Sequence, residues 1–338
     1  MNARLILTTS CLLLLAHTEA AEWEKLPSLP EPNGGFVVGV DQGKVVIAGG
    51  TNWEGGQKNW LKKVRAFDPK SLKWEARADL DRATAYAVTG TRDEITKKSV
   101  MVFGGGANAD GALPFVQFLG KDELDAKPAS LPSNLVIAAG GVHVNSLVVC
   151  GGTPNAAEIE KASKATWSID LDTLKVTPLA PFPGPPFVTA ASTMDLFGRL
   201  FVFGGGTWDA KNQTVLNLDA AHAFDVKKNT WKKLRPLPYA VRGISAAMLY
   251  QDKPKGGSIV KSFVYLAGGY KNDTDGFTDE AFIYNTDTDE YRPAVPLPYK
   301  AMVSLVVCEG YLYCLGGEDK KQSRSDACYR IRLEDLLK

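Results

Sequence analysis

Six short apolar runs along this chain each end in a pair of glycines: VVIAGG, VMVFGG, LVVCGG, LFVFGG, VYLAGG and LYCLGG. The pairs are Gly49-Gly50, Gly104-Gly105, Gly151-Gly152, Gly204-Gly205, Gly268-Gly269 and Gly316-Gly317, spaced 55, 47, 53, 64 and 48 residues apart. That period is too long for a hairpin and fits one supersecondary unit, so the chain reads as a repeat array before any single residue is interpreted. Such units bury their faces only against neighbours, which outweighs the two-domain expectation that length alone would set.

Each unit keeps one order. A small, apolar strand such as Ala83–Thr89 or Ile244–Leu249 comes first, then the strand ending in the glycine pair, then a variable polar loop. A strand with an aromatic before Asp or Asn follows (Phe67-Asp68, Phe224-Asp225, Tyr284-Asn285), and a strand carrying Trp74, Trp231 or Tyr291 ends the unit. Period-two alternation predicts four short antiparallel strands per unit, with little helix beyond a short turn at Glu334–Leu337. Units two and three are degenerate, with Val116–Leu119 and Trp167–Ile169 in place of the aromatic-Asp element, and Gln251–Ser262 reads as an insertion in unit five.

The two ends complement one another. Unit six runs out at Asp326–Leu333 without a Trp strand, while Glu22-Trp23-Glu24-Lys25-Leu26-Pro27 is a Trp strand without a unit. The sequence therefore predicts an all-β, six-bladed propeller over residues 21–338 in which the N-terminal strand completes blade six and removes its open edge. Ahead of it, residues 1–20 read as a secretory signal peptide: Arg4, an apolar stretch, and Thr18-Glu19-Ala20 at a small-x-small cleavage site. The expectation is a periplasmic or secreted protein without a membrane segment after cleavage, since no later run approaches eighteen apolar residues.

A net charge of +1 with interspersed signs excludes the basic stripe of a nucleic-acid binder. Cys150, Cys308, Cys314 and Cys328 match no zinc spacing; Cys314–Cys328 is a candidate disulfide between neighbouring strands. His143 and His222 fall in different blades and read as packing residues, so no metal site and no cofactor is expected. Chain direction puts the post-glycine loops and the blade-to-blade connections on one face, at one mouth of the channel. Candidate ligand contacts there are Asn52, Arg82 and Arg242, with Trp53, Trp60 and Trp208, which lie off the repeated Trp position, as candidate stacking surfaces.

The sixth glycine pair is followed directly by Glu318 and, six residues later, by Arg324. A carboxylate can act as general acid and base at a sugar hydroxyl, and a guanidinium fork can hold a ligand carboxylate in one orientation. Charged loop residues are common, so a solvated ion pair is the competing reading of these two.

The tandem glycine pairs, aromatic-Asp and Trp elements resemble the kelch family. Within it, the chain resembles a circularly permuted branch of the N-acetylneuraminate epimerase (sialic acid mutarotase) family, which are periplasmic six-bladed propellers. The resemblance rests on three stretches. One is Asn33-Gly34-Gly35-Phe36 with Gly49-Gly50-Thr51-Asn52 and Glu54-Gly55-Gly56-Gln57-Lys58-Asn59-Trp60; the second is Pro181-Phe182-Pro183-Gly184-Pro185-Pro186. The third is Gly316-Gly317-Glu318 with Arg324-Ser325-Asp326-Ala327, similar to the family's N-G-E-x-x-x-x-x-R-T-D-A. It implies a cofactor-independent isomerase that interconverts the anomers of sialic acid or a related acidic sugar, with Glu318 as acid/base and Arg324 as carboxylate anchor. Phe187 stands where the family's P-G-G-P-R arginine would be, and Lys62-Lys63 replace an acidic pair. The alternative is a non-catalytic kelch propeller that binds carbohydrate or a protein partner at the same mouth.

Overall fold

The computed structural model describes residues 21–93, 99–120, 124–133, 135–251 and 261–338; residues 1–20, which the sequence suggests are a signal peptide, and all but the edges of the insertion lie outside the described residues. Six four-stranded antiparallel sheets follow one another along the chain and form the blades of a propeller. From the channel outward, blade 1 holds Val37–Asp41, Lys44–Ala48, Val64–Asp68 and Lys73–Ala76. Blade 2 holds Val88–Asp93, Ser99–Gly104, Phe115–Leu119 and Leu124–Pro128. Blade 3 holds Ala139–His143, Ser146–Cys150, Thr166–Asp170 and Val176–Leu179. Blade 4 holds Ala191–Met194, Arg199–Phe203, Ala221–Asp225 and Thr230–Lys233. Blade 5 holds Ser245–Gln251, Lys261–Ala267, Ala281–Asn285 and Glu290–Pro293.

Blade 6 comprises Met302–Cys308, Tyr311–Glu318 and Cys328–Arg332, and its outermost strand is Glu24–Lys25. Glu24 lies opposite Arg330 and Lys25 opposite Tyr329, so the N-terminal strand closes the ring as the sequence predicts. Arg330 grips Glu24 with both arms of its guanidinium, Nε–Oε2 at 2.6 Å and Nη2–Oε1 at 3.1 Å. The short helix Leu333–Leu336 follows the last strand.

The glycine pairs act as clasps between blades. In every blade the N–H of the second glycine donates to a carbonyl on the connection that leads to the next blade: Gly50 to Thr84, Gly106 to Leu135, Gly152 to Phe187, Gly205 to Val241, Gly269 to Ala301 and Gly317 to Asn33, at 2.8–3.0 Å. Both residues of each pair have positive φ, and in blade 2 the left-handed pair is Gly105-Gly106. Gly104 there still belongs to the strand, so the Gly104-Gly105 assignment shifts by one within the run Gly104-Gly105-Gly106.

A second clasp runs round the outside. The indole N–H of Trp23 donates to Pro296 O, that of Trp74 to Pro27 O and that of Trp231 to Ala180 O, while Tyr291 Oη donates to Arg235 O. Each therefore ties its blade to the exit of the blade before. The Asp of the aromatic-Asp element caps its own turn: Asp68 accepts from Lys70 N and Asp225 from Lys228 N. Asp170 does the same for Asp172 and Thr173, so degenerate blade 3 loses the aromatic but keeps the turn.

All four cysteines of the described residues are buried and free, and the Cys314–Cys328 bridge does not form. The register pairs Cys314 with Tyr329 and Leu315 with Cys328. Opposed residues share a face and sequence neighbours do not, so the two thiols point to opposite faces of the sheet. Cys314 joins the core between blades 5 and 6, and Cys328 the core between blades 6 and 1. His222 is a packing residue against Phe182, 4.7 Å between ring centres, with its pKa lowered by burial and then by Lys233.

Candidate functional site

The site forms where the ring closes. After the first glycine pair the chain makes a two-stranded ribbon, Thr51–Glu54 against Gln57–Trp60. Its turn is Gly55-Gly56, both with positive φ (58° and 79°), as a tight two-residue hairpin of this hand requires. Thr51 opposes Trp60 and Trp53 opposes Lys58, so alternation puts Thr51, Trp53, Lys58 and Trp60 on one face of the ribbon. Asn52 and Asn59 lie on the other, joined by Asn59 Nδ2 donating to Asn52 Oδ1 at 3.1 Å.

Gly34 bridges Thr51 from the incoming connection, and Thr51 Oγ1 donates to Gly34 O at 3.1 Å. Arg324 lies across this floor. A Cβ on Gly34 would sit 2.5 Å from Arg324 Cδ and 2.8 Å from its Nε, so only glycine leaves the arginine its place. The arginine side chain is 5 % exposed. Its Nη1 donates to Ser323 O at 2.7 Å and to Glu318 Oε2 at 2.9 Å. Its other edge makes long contacts only, Nε to Thr51 Oγ1 and Nη2 to Tyr86 Oη, both 3.3 Å. Glu318, at the end of its strand, is 34 % exposed and faces the mouth.

Tyr86 completes the cluster, and the sequence reading missed it. It belongs to a collar of residues with positive φ (Gly35, Tyr86, Ile137, Thr189 and Gly243) in which each amide donates to the previous member's carbonyl. A left-handed conformation costs a bulky residue roughly 1–3 kcal/mol, and the collar's hydrogen bonds hold it there. The conformation lays the tyrosine ring over Gly35, where any Cβ would collide with it. The phenol meets Thr51 Oγ1 at 3.2 Å and Arg324 Nη2. Lys58 Nζ stands 4.7 Å from the Tyr86 ring centre and 4.4 Å from that of Trp60, and the two rings meet edge-on at 5.9 Å. Burial raises the Tyr86 pKa, but the charges of Lys58 and Arg324 and the hydrogen bonds of Lys58 and Thr51 outweigh it, and the net shift is downward. The signal available in the sequence was positional: Tyr86 occupies in the second connection the place Gly35 has in the first.

The cluster is thus Glu318, Arg324, Tyr86, Thr51 and Lys58, an acid, two cations and an acidified phenol within one mouth. Of the sequence candidates, Glu318 and Arg324 are brought together. Asn52 is adjacent but turned to the far face of the ribbon, and Thr51 fills the position instead. Arg82 is exposed and stacks 4.0 Å over Phe115, in blade 2. Arg242 is spent between blades 4 and 5, its Nη1 on Asn217 Oδ1 at 2.8 Å and its guanidinium 4.4 Å over Tyr270. Trp53 and Trp60 share the ribbon face, while Trp208 sits on a separate ribbon in blade 4. Phe187, in place of an arginine, is buried against Phe182 at 4.7 Å. Among the described residues no cluster of His, Cys, Asp and Glu has the composition of a metal site.

Residues 32–80 match the Kelch motif family model. Kelch-like protein 36 of Bos taurus is 21% identical over 296 residues, 86% of this chain and 44% of that protein. This chain thus spans less than half the length of that kelch-like relative. The N-acetylneuraminate epimerase of Yersinia enterocolitica is 30% identical over 178 residues, 45% of each chain. N-acetylneuraminate epimerase 1 of Escherichia coli is 24% identical over 241 residues, 63% of this chain and 61% of that one. The solved structure of YjhT superposes with a TM-score of 0.69 at 15% identity, covering 90% of this chain and 95% of its own, which establishes the shared fold.

Proposed function

We propose that this chain, a kelch-repeat β-propeller, speeds the interconversion of the α and β anomers of N-acetylneuraminate or a related acidic sugar at the Glu318–Arg324–Tyr86 cluster. One observation carries the reading: a nearly buried Arg324 is fixed on one side by Glu318 and Ser323 and keeps its Nε–Nη2 edge in long contacts only. A ligand carboxylate fits that edge side-on, displacing Thr51 and Tyr86 with two parallel charge-assisted bonds. The anomeric carbon, next to the carboxylate in such a sugar, then lies between Glu318 and the phenol.

Ring opening needs one proton removed and one delivered. Glu318 takes the proton of the anomeric hydroxyl as the bond between the anomeric carbon and the ring oxygen breaks. Tyr86 gives its proton to the ring oxygen, leaving an open-chain ketone. Rotation about the bond to the carbonyl carbon and reversal of both transfers close the other anomer and restore both groups. No electron changes hands, and general acid–base catalysis of this kind is typically worth about 10²–10⁴-fold per group. The epimerase relatives support the substrate class, and residues 1–20 support our further proposal that the protein is exported.

The test is proton NMR of freshly dissolved α-anomer with wild type, with Glu318→Gln and without protein. Faster decay with wild type than with either control is expected. Equal decay in all three defeats the proposal, and saturable binding without acceleration leaves a carbohydrate-binding propeller.

A further inference from the structure

Beyond the cluster the same ribbon face continues. Thr51 and Trp60 stand at its base, against Arg324 and Tyr86, and Trp53 and Lys58 nearer its tip. Those outer residues, with Trp60, form one wall of a cleft of about 440 Å³. The opposite walls are the blade 2 ribbon, Ala107–Asn108 and Gly111–Ala112, and the blade 3 loop at Pro154–Ala157. Neither Glu318, Arg324 nor Tyr86 lines it, so the cleft is distinct from the cluster and adjoins it through Lys58 and Trp60, which pack against Tyr86.

The lining has two characters. The indoles of Trp53 and Trp60 on one wall suit the apolar C–H face of a sugar ring. The side chains of Asn108, Asp110 and Asn155 on the other walls suit its hydroxyl rim. Lys58 is the one cation of the lining, and among the described residues no carboxylate pairs with it; it rests on two aromatic rings. Its size falls in the range of small-molecule sites, roughly 300–1,000 Å³.

We infer that the cleft is a subsite for the second glycosyl residue of an acidic oligosaccharide whose reducing-end sugar occupies the Glu318–Arg324 cluster, with Lys58 taking the second residue's carboxylate. The inference rests on the proposed function and extends it from a free sugar to a chain of at least two residues. Thr51, which touches Arg324, shares its ribbon face with Trp53, so the ribbon leads from the carboxylate anchor to the cleft.

Calorimetric titration of the full mature chain with N-acetylneuraminate and with its α2,8-linked disaccharide tests it. The disaccharide is expected to bind at least about tenfold tighter. Trp53→Ala is expected to bring its affinity down to that of the single sugar. Ala112→Trp, which fills the cleft from an exposed position and leaves the core alone, is expected to do the same. Equal affinity for the two ligands, or a disaccharide advantage that survives both substitutions, overturns the inference and leaves the proposed function standing. Absence of binding and of anomer exchange with N-acetylneuraminate itself overturns both.

Discussion

Arg324 lies directly on Gly34, across the seam where the first and last blades meet. Gly34 has no Cβ to obstruct the arginine's Cδ, and its φ is not in the left-handed region, so alanine fits the backbone but not the space. Gly34→Ala is therefore expected to displace Arg324, with only a mild crowding of the Gly317 backbone 3.3 Å from the added methyl. A misplacement of about 1 Å at a positioning group can cost on the order of 10²-fold, and a loss of that size in the anomer-exchange rate is expected with little change in melting temperature. Retention of full exchange by Gly34→Ala would show that the arginine's present place is not needed.

Tyr86 carries a pH prediction. Burial raises its pKa, but the charges of Lys58 and Arg324 and the hydrogen bonds of Lys58 and Thr51 outweigh it and lower it overall. Since the phenol must hold its proton to protonate the ring oxygen, the alkaline limb of the exchange rate is expected below the ordinary phenol pKa of about 10. Lys58→Met removes a lowering charge and should move that limb upward. Tyr86→Phe keeps the ring on Gly35 and should abolish the limb, with a loss of roughly 10²–10⁴-fold in rate. The same shift links to stability: a depressed acid stabilises the fold above its ordinary pKa, and this contribution disappears as pH falls through the folded value. Urea unfolding at pH 10.5 and pH 7 should show a larger difference between wild type and Tyr86→Phe at the higher pH, the pH 7 difference being that of the phenol's hydrogen bonds to Thr51 and Arg324.

These two residues mark how far the sequence can be read. The glycine period, the orphan Trp23 strand and the six-residue interval from Glu318 to Arg324 are local or strictly periodic, and each carried through to the propeller, its closure and the central ion pair. Tyr86 meets Arg324 across 238 residues, through a collar of left-handed residues that no local pattern announces. The sequence offers Asn52, a polar residue of the loop after the first glycine pair, as a ligand contact. The pairing of Thr51 with Trp60 decides it otherwise, because a shift of one residue exchanges the faces of a ribbon. Arg82 and Arg242 sit on the connections that chain direction places at the mouth, but sequence cannot tell which side chain a neighbouring Phe115 or Asn217 will capture.

The cysteines give a chemical check on the sheet register. Burial pushes the thiols of Cys150, Cys308 and Cys328 up to about 12, and that of Cys314 higher still. With Cys314 and Cys328 on opposite faces, all four should stay reduced even in an oxidising buffer. Native protein is expected to be inert to a thiol-reactive disulfide reagent at pH 8. A chain of residues 21–338 denatured without reductant should release four equivalents. A release of two would mean that a bridge forms and that the register of blade 6 differs.

The glycine clasps predict a difference in stability between glycines of similar conformation. Gly56, at the tip of the ribbon, has φ 79° and open space around it, whereas Gly317 has φ 97° and faces the Met302 carbonyl and Val303. Alanine at either position carries the cost of a left-handed residue, on the order of 1–2 kcal/mol. At Gly317 the methyl would also collide with backbone and strain the N–H bond to Asn33 O that joins blade 6 to blade 1. Overpacking of that kind adds typically 1–3 kcal/mol. Gly317→Ala is therefore expected to unfold at clearly lower urea than Gly56→Ala, and to lose exchange activity as well, because Asn33 leads straight into Gly34. Equal midpoints for the two variants would mean that the clasp contributes nothing beyond its backbone conformation.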